Sequence, residues 1–380
     1  MSGGELAPRL RRAFSGRRVL VTGHTGFKGA WLSAWLEELG AEVSGLALPP
    51  ATEPSLFADL DLASRLDHRE IDLRDRQAVA ARVEEVKPEI VLHLAAQALV
   101  RESYATPQET FDTNVMGTVN VLEAVRASGR PCLVVVVTSD KCYESTGERP
   151  SVEGDPMGGH DPYSASKGAT ELVVSSYRRS FFASGSHGEH RVGLASVRAG
   201  NVIGGGDWST DRLVPDIVRA VLAEQPPPIR NPQAVRPWQH VLDALSGYLW
   251  LTTLMAERGA DGLAEAWNFG PEDDDRVSVG QLTDRVLACW QREGWETVSE
   301  ERPPHETGVL RLDIGKARER LDWRPTWDVD AALAATVDWH RAAAAGEDLR
   351  QVTREQLRSY VTTAAERGRA WALAPEGSSS

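Results

Sequence analysis

Over roughly the first half of the chain, apolar residues gather into short, almost unbroken runs at 17–23 (RRVLVTG), 41–48 (AEVSGLAL), 89–96 (EIVLHLAA), 133–140 (LVVVVTSD) and 192–200 (VGLASVRAG). Runs that are continuously apolar rather than alternating predict strands buried on both faces, as in a parallel sheet covered by helices. Between the first two, Leu32, Trp35, Leu36 and Leu39 recur at helical spacing and Gly40 follows as a stop signal. This strand, turn, helix, strand unit predicts an α/β chain with a doubly wound parallel sheet.

Beyond residue 204 the texture changes to segments rich in Gly, Pro and Trp, among them GGGDWSTDRLVPD and EQPPPIRNPQAVRPWQH. They predict a smaller region of loops and short helices. The helical stretch VLDALSGYLWLTTLMAERG and the strand-like EAWNFG return to the sheet, so the two regions interleave. The expected division is a sheet domain over 16–205 plus about 241–270, a second domain over 206–240 and 271–345, and a helical extension over 346–380 that ends in a disordered polar tail.

Composition removes several function classes. A net charge of -13 on 380 residues opposes nonspecific nucleic-acid binding. Cys132, Cys142 and Cys289 are too few and too scattered for a disulfide framework or a zinc site. No apolar run approaches the roughly 18 residues of a membrane span, and MSGGELAPRLRRAFSGRR has no signal-peptide core, so a cytoplasmic protein is expected. The acidic run PEDDDR is read as a solvated loop, and no metal is assigned.

Candidate chemistry begins in VTGHTGFKG, where Gly23, Gly26 and Gly29 stand between the first strand and its helix. Glycines there permit a tight turn and let backbone N–H groups approach a pyrophosphate at the helix N-terminus, so a dinucleotide on a Rossmann-type sheet is expected. Phe27 in the same turn, and Leu94, Ala95 and Ala96 at the end of the third run, are the neighbouring cofactor candidates. An acid about 20 residues further on normally takes the ribose hydroxyls of NAD. Here the second run ends in LALPP, with no Arg or Lys to favour NADP either, so NAD is assigned, loosely held. In DLRD, Asp72 and Leu73 are further candidates; adenine contact and helix capping are both open for Asp72. His93 either borders the cofactor or is a satisfied core histidine, and Lys28 faces either phosphate or solvent.

In DPYSASKGATELVV, Tyr163 and Lys167 are four residues apart, which on a helix sets phenol and ammonium on one face. A phenol with a pKa of about 10 is a poor base until a neighbouring cation favours the phenolate. The valine run 134–137 passes abruptly into Thr138, Ser139, Asp140 and Lys141, and ligands of open parallel sheets sit beyond the carboxyl ends of the strands. Thr138 is expected to be structural, with Ser139, Asp140 and Lys141 at the site.

Glycine turn, Ser-Asp strand end and Tyr/Lys pair together resemble the extended short-chain dehydrogenase/reductases. GHTGFKGAWL, HLAAQALVRESYATP, TNVMGT, TSDKCYE, GGHDPYSASKG, RAGNVIGGGDW, RLVPD, RPWQHVLD and WNFGP are similar to the nucleotide-sugar 4,6-dehydratases from about residue 16 to 340, and GHTGFKG with TSDKCYE marks the branch acting on CDP-glucose. The resemblance implies hydride transfer from sugar C4 to NAD, loss of water across C5 and C6, and return of the same hydride to C6. It implies Tyr163 as base at the C4 hydroxyl, and Lys167 as the cation that lowers its pKa and holds the nicotinamide ribose. Ser139 would bond near the C4 oxygen, and Asp140 would be the acid for the departing C6 hydroxyl. Where dTDP-glucose relatives follow that Asp with a Glu, this chain has Lys141, a site residue whose role is open. Asn114 in TNVMGT resembles an active-site asparagine, helix-face polarity being the alternative.

The resemblance places the sugar nucleotide in the loop-rich region, with Asn201, Arg212 and Arg236 as candidates; arginine forks match phosphate oxygens. Of 12 tryptophans, Trp238 is the one whose motif lies near ligand, and the rest are expected in core or interface. The expected partners are the nucleotide sugar and further copies of the chain, in a homodimer or homotetramer paired through helices at about 108–128 and 162–183, with neither nucleic acid nor membrane. The alternatives are a dehydratase of a GDP-, UDP- or dTDP-sugar, a 4-epimerase that needs Tyr163 and Lys167 without Asp140, and a noncatalytic dinucleotide sensor that needs none of them.

Overall fold

The computed structural model describes residues 7–144, 149–183, 190–272, 277–298 and 310–374; the acidic residues 273–275 and the polar tail from 375 lie outside them. Seven strands form the central sheet: β1 (Arg18–Thr22), β2 (Glu42–Ala47), β3 (Asp67–Glu70), β4 (Ile90–His93), β5 (Cys132–Val137), β6 (Val192–Ala199) and β7 (Ala266–Phe269). Their spatial order is β7-β6-β5-β4-β1-β2-β3, and every pairing is parallel. Chain order reverses between β1 and β4, and that switch opens a crevice at the carboxyl edge of the sheet. The anticipated Rossmann-type architecture is the observed one.

The four valines of β5 explain their own run. Val135 and Val137 enter the core layer on one face, Val134 and Val136 the layer on the other, as the two-residue period of a strand buried on both sides requires. The first layer lies under helices α1 (Phe27–Glu38), α2 (Val241–Arg258) and α3 (Leu349–Glu366), and it holds Trp31, Trp35, Trp250, Trp267, Trp323, Trp339 and Trp371. The second lies under three helices of the opposite face, Arg76–Val86, Gly117–Ser128 and Pro162–Ser180, with Val79, Val83, Val121, Leu122 and Val174 inside. A separate core of Val214, Ile217, Trp238, Leu282 and Leu333 supports the loop-rich region. Among the described residues no helix is long and apolar enough to cross a membrane.

Candidate active site

The glycines of the first turn have different reasons for being glycine. Gly23 has φ 75°, and a Cβ there would lie 2.7 Å from the Ala95 backbone; at Gly29 a Cβ would meet the Gly23 carbonyl at 2.0 Å. Those two are demanded by the turn itself. Gly26, the N-cap of α1, has φ -79°, and a Cβ there would touch only the Gly23 carbonyl, at an ordinary 3.5 Å. Nothing in the protein forbids a side chain at 26, yet the exposed Gly26 leaves the start of α1 bare, which fits a pyrophosphate approaching the N–H groups. Phe27 opens the helix, partly exposed, and Leu94, Ala95 and Ala96, also partly exposed, follow β4 on the other side of the switch point.

The other cofactor candidates resolve unevenly. The Asp72 carboxylate is held by Arg74 through bonds of 2.6–3.0 Å, which keeps its carboxyl below the usual range, and Arg74 reaches on to Glu109. The capping alternative for Asp72 is corrected: the cap of helix Arg76–Val86 is Asp75, which accepts from the N–H groups of Gln77 and Ala78. Leu73 is buried against Gly117, with its carbonyl bonded to Asn120.

His93 is a satisfied core histidine. Thr118 Oγ donates to the Asn114 carbonyl at 2.7 Å, so it accepts from His93 Nε2–H at 3.0 Å. Nδ1 then accepts from Thr22 Oγ at 2.6 Å, and Thr22 in turn accepts the Ala95 N–H at 3.2 Å. The direction of every bond follows from the first. Burial pushes this imidazole down to about 3, so it stays neutral.

Asp161 caps helix Pro162–Ser180, accepting from Ser164 N–H at 2.9 Å, and Pro162 presets the first turn. Tyr163 and Lys167 thus sit one turn apart at the buried start of a helix, with the ammonium 5.9 Å from the phenol ring and 3.4 Å from the Val137 carbonyl. Burial pushes the phenol up to about 12, opposed by a hydrogen bond with Ser139 and by the charge of Arg212; burial pushes Lys167 down to about 8. Ser139 is the cap of a short helical turn over Asp140–Cys142 and donates to Asp140 Oδ1 at 3.0 Å. The other Asp140 oxygen is buried and has no partner among the described residues. Lys141, next in the turn, is partly exposed.

The positive groups of the crevice face one another. Lys28 is pushed down to about 7, by burial and then by Arg212 and Lys167, while Asp140 opposes that shift. Lys28 itself is partly exposed. Arg212 reaches Asp207 at 3.4 Å, and Arg236 is buried with one N–H on the Val235 carbonyl. Asn201 follows β6, its carbonyl accepting from Gln239 N–H at 3.1 Å. Trp238 lies in the core under the loop-rich region, its indole N–H spent on the Val277 carbonyl.

Asn114 occupies a π-helical turn over Asp112–Met116, bonded to Gln97 and, at 2.8 Å, to Ser166 Oγ, so it joins the strand-end loop to the Tyr163 helix. Tyr248 escaped the sequence reading: it is fully buried in α2, its hydroxyl has no partner among the described residues, and the Lys28 ammonium lies 5.8 Å from its ring. A tyrosine within a helical apolar run carries no signal of this. Among the described residues no cluster of His, Cys, Asp and Glu is arranged to hold a metal ion.

Sheet order, glycine turn and Tyr/Lys helix are together those of an extended short-chain dehydrogenase/reductase. Residues 20–336 match the GDP-mannose 4,6 dehydratase family, and the chain belongs to it. It is 48% identical over 353 residues, covering 92% of this chain and 97% of the relative, to the CDP-glucose 4,6-dehydratase of Salmonella typhimurium. Among solved structures it is similar to a dTDP-glucose 4,6-dehydratase from Streptomyces venezuelae with NAD bound (TM-score 0.73, 26% identity, 87% of this chain and 98% of that one). A UDP-glucose 4-epimerase from Thermus thermophilus in complex with NAD is as similar in fold (TM-score 0.73, 25% identity, 86% and 99%).

Proposed function

We propose that this protein is an NAD-dependent CDP-glucose 4,6-dehydratase, converting CDP-glucose to CDP-4-dehydro-6-deoxyglucose. The observation that carries the dehydration step is the unpartnered, buried oxygen of Asp140 beside Ser139. An epimerase has no step for such an acid, whereas expelling the C6 hydroxyl requires a proton donor. The near-half identity to the Salmonella enzyme supports the cytidine nucleotide.

Gly23, Gly26 and Gly29 at the start of α1, with Leu94, Ala95 and Ala96 opposite, fit the dinucleotide; NAD supplies the acceptor and later the donor of one hydride. Tyr163 takes the C4 hydroxyl proton, with Ser139 holding the phenol and the sugar oxygen. Burial raises the phenol and outweighs the opposing hydrogen bond with Ser139 and the charge of Arg212, so positive charge beside the phenol is what favours its phenolate. Asp140 then protonates the departing C6 oxygen. Lys141, adjacent in the same turn, stands beside the acid at the strand end. Lys28, Arg212 and Arg236 supply the positive field for the diphosphate.

Exposed apolar side chains, Phe111, Met116, Leu172 and Phe181, stand on the helical segments 107–128 and 162–180 or at their end, and support pairing of subunits there. Three free thiols agree with a cytoplasmic setting. Incubation with NAD and, in turn, the CDP-, dTDP-, UDP- and GDP-linked sugars tests the substrate: CDP-glucose should turn over fastest, and preference for another base would overturn that assignment.

A further inference from the structure

The loop carrying Ser139, Asp140 and Lys141 and the helix carrying Tyr163 and Lys167 are separate pieces of chain, and proton and hydride transfer demand that they be held in fixed register. What joins them is a buried ion pair. Glu171, one turn beyond Lys167, accepts four hydrogen bonds: Oε1 from Thr138 Oγ at 2.5 Å and Arg198 Nε at 2.9 Å, and Oε2 from Ser196 Oγ and Arg198 Nη2, each at 2.8 Å. Both partners are only 4% exposed. The remaining arm of Arg198, on β6, donates to the Tyr143 hydroxyl at 2.5 Å and to the Glu153 carbonyl. The Tyr143 hydroxyl in turn donates to Asn268 Oδ1 at 2.7 Å on β7, and the Asn268 amide N–H groups donate to the Ser151 and Asp313 carbonyls.

Thr138 and Tyr143 are therefore the two ends of one short segment, both tied to the same ion pair, with Ser139, Asp140 and Lys141 between the ties. A buried ion pair adds little stability over well-packed apolar residues. What it adds is direction, because the planar guanidinium and the carboxylate accept partners only along set lines. We propose that Glu171 and Arg198, acting through Thr138 and Tyr143, form a positioning clamp that sets the Ser139–Lys141 segment against Tyr163 and Lys167. None of the four touches a reacting atom, and the clamp rests on the dehydratase function proposed above.

Thr138→Val keeps the side-chain shape and leaves Glu171 paired with Arg198 and Ser196, so the fold survives while one tie is cut. The full-length variant, assayed with NAD and CDP-glucose, should lose kcat by about 10–100-fold with KM for the nucleotide sugar nearly unchanged, since the loss is of alignment and not of nucleotide grip. Tyr143→Phe cuts the other tie and should show the same split. Thr138→Ser, which restores the hydroxyl, should recover most of the rate. Ser196→Ala removes a comparable buried bond to the same carboxylate from a residue that holds no part of the segment, and should leave kcat as it was. Near wild-type kcat in both Thr138→Val and Tyr143→Phe, or an equal loss in Ser196→Ala or Thr138→Ser, overturns the clamp while leaving the function standing. A wild-type protein that turns over no nucleotide sugar sinks the function, and the clamp with it.

Discussion

Tyr163 and Asp140 sit close enough to sense each other's charge, yet their proposed tasks come at different steps, and substitution should separate them. Tyr163→Phe removes the group that takes the C4 proton, so turnover should fall by about 100-fold or more while NAD binding, measured by protein fluorescence, changes little. Asp140→Asn leaves that step intact and removes the acid for the C6 hydroxyl. Reduced nicotinamide should therefore build up in this variant when CDP-glucose is added, and water loss should become rate-limiting. Elimination by Asp140→Asn at the wild-type rate would remove Asp140 from the acid role.

At the scale of an element, the first turn makes its own test. Gly29→Ala drives a methyl into the Gly23 carbonyl and should destabilise the fold, read as a lowered thermal midpoint. Gly26→Ala meets no such obstacle within the protein, so its thermal midpoint should stay close to wild type. It should nonetheless weaken NAD binding by about tenfold or more, as expected for loss of a close backbone approach to a charged phosphate. Unchanged NAD affinity in Gly26→Ala would place the pyrophosphate elsewhere. These elements were legible in the sequence because their signals are local: apolar runs, glycines at a strand end, a Tyr/Lys spacing. Strand β3 was not marked by such a run, since DHRE sits mostly exposed at the sheet edge and buries no apolar run. The short helix Pro8–Phe14 was also passed over, its buried Leu10, Ala13 and Phe14 being spaced among arginines. Least legible were the partners of Glu171 and Arg198, and the engagement of His93 by Thr22 and Thr118, because those bonds join positions 25 to 71 residues apart.

For the whole molecule, one buried carboxyl lies where the helix Leu349–Glu366 packs on α2. Asp243 in α2 accepts from Tyr360 of α3 at 2.8 Å and from the Thr326 N–H at 2.5 Å, and burial pushes it up to about 7 from 3.8. The folded state thus binds a proton that the unfolded chain has already released across that window, so this group's contribution to stability is lost as pH rises from about 4 through about 7. Asp243→Asn keeps an acceptor oxygen and cannot ionise. Its thermal midpoint should exceed that of the wild type above pH 7 and lose that advantage toward pH 4, as followed by calorimetry; a constant difference across the range would mean that Asp243 does not titrate in this way.

In the proposed reaction one hydride leaves C4 and returns to C6 of the same sugar. The most direct measurement is NMR of the product formed from CDP-glucose carrying deuterium at C4, with unlabelled NAD and purified protein. Deuterium at C6 of a 4-keto-6-deoxy sugar nucleotide is the expected result. Deuterium retained at C4 of an inverted sugar, or a 4-keto-6-deoxy product whose C6 carries none, would contradict it.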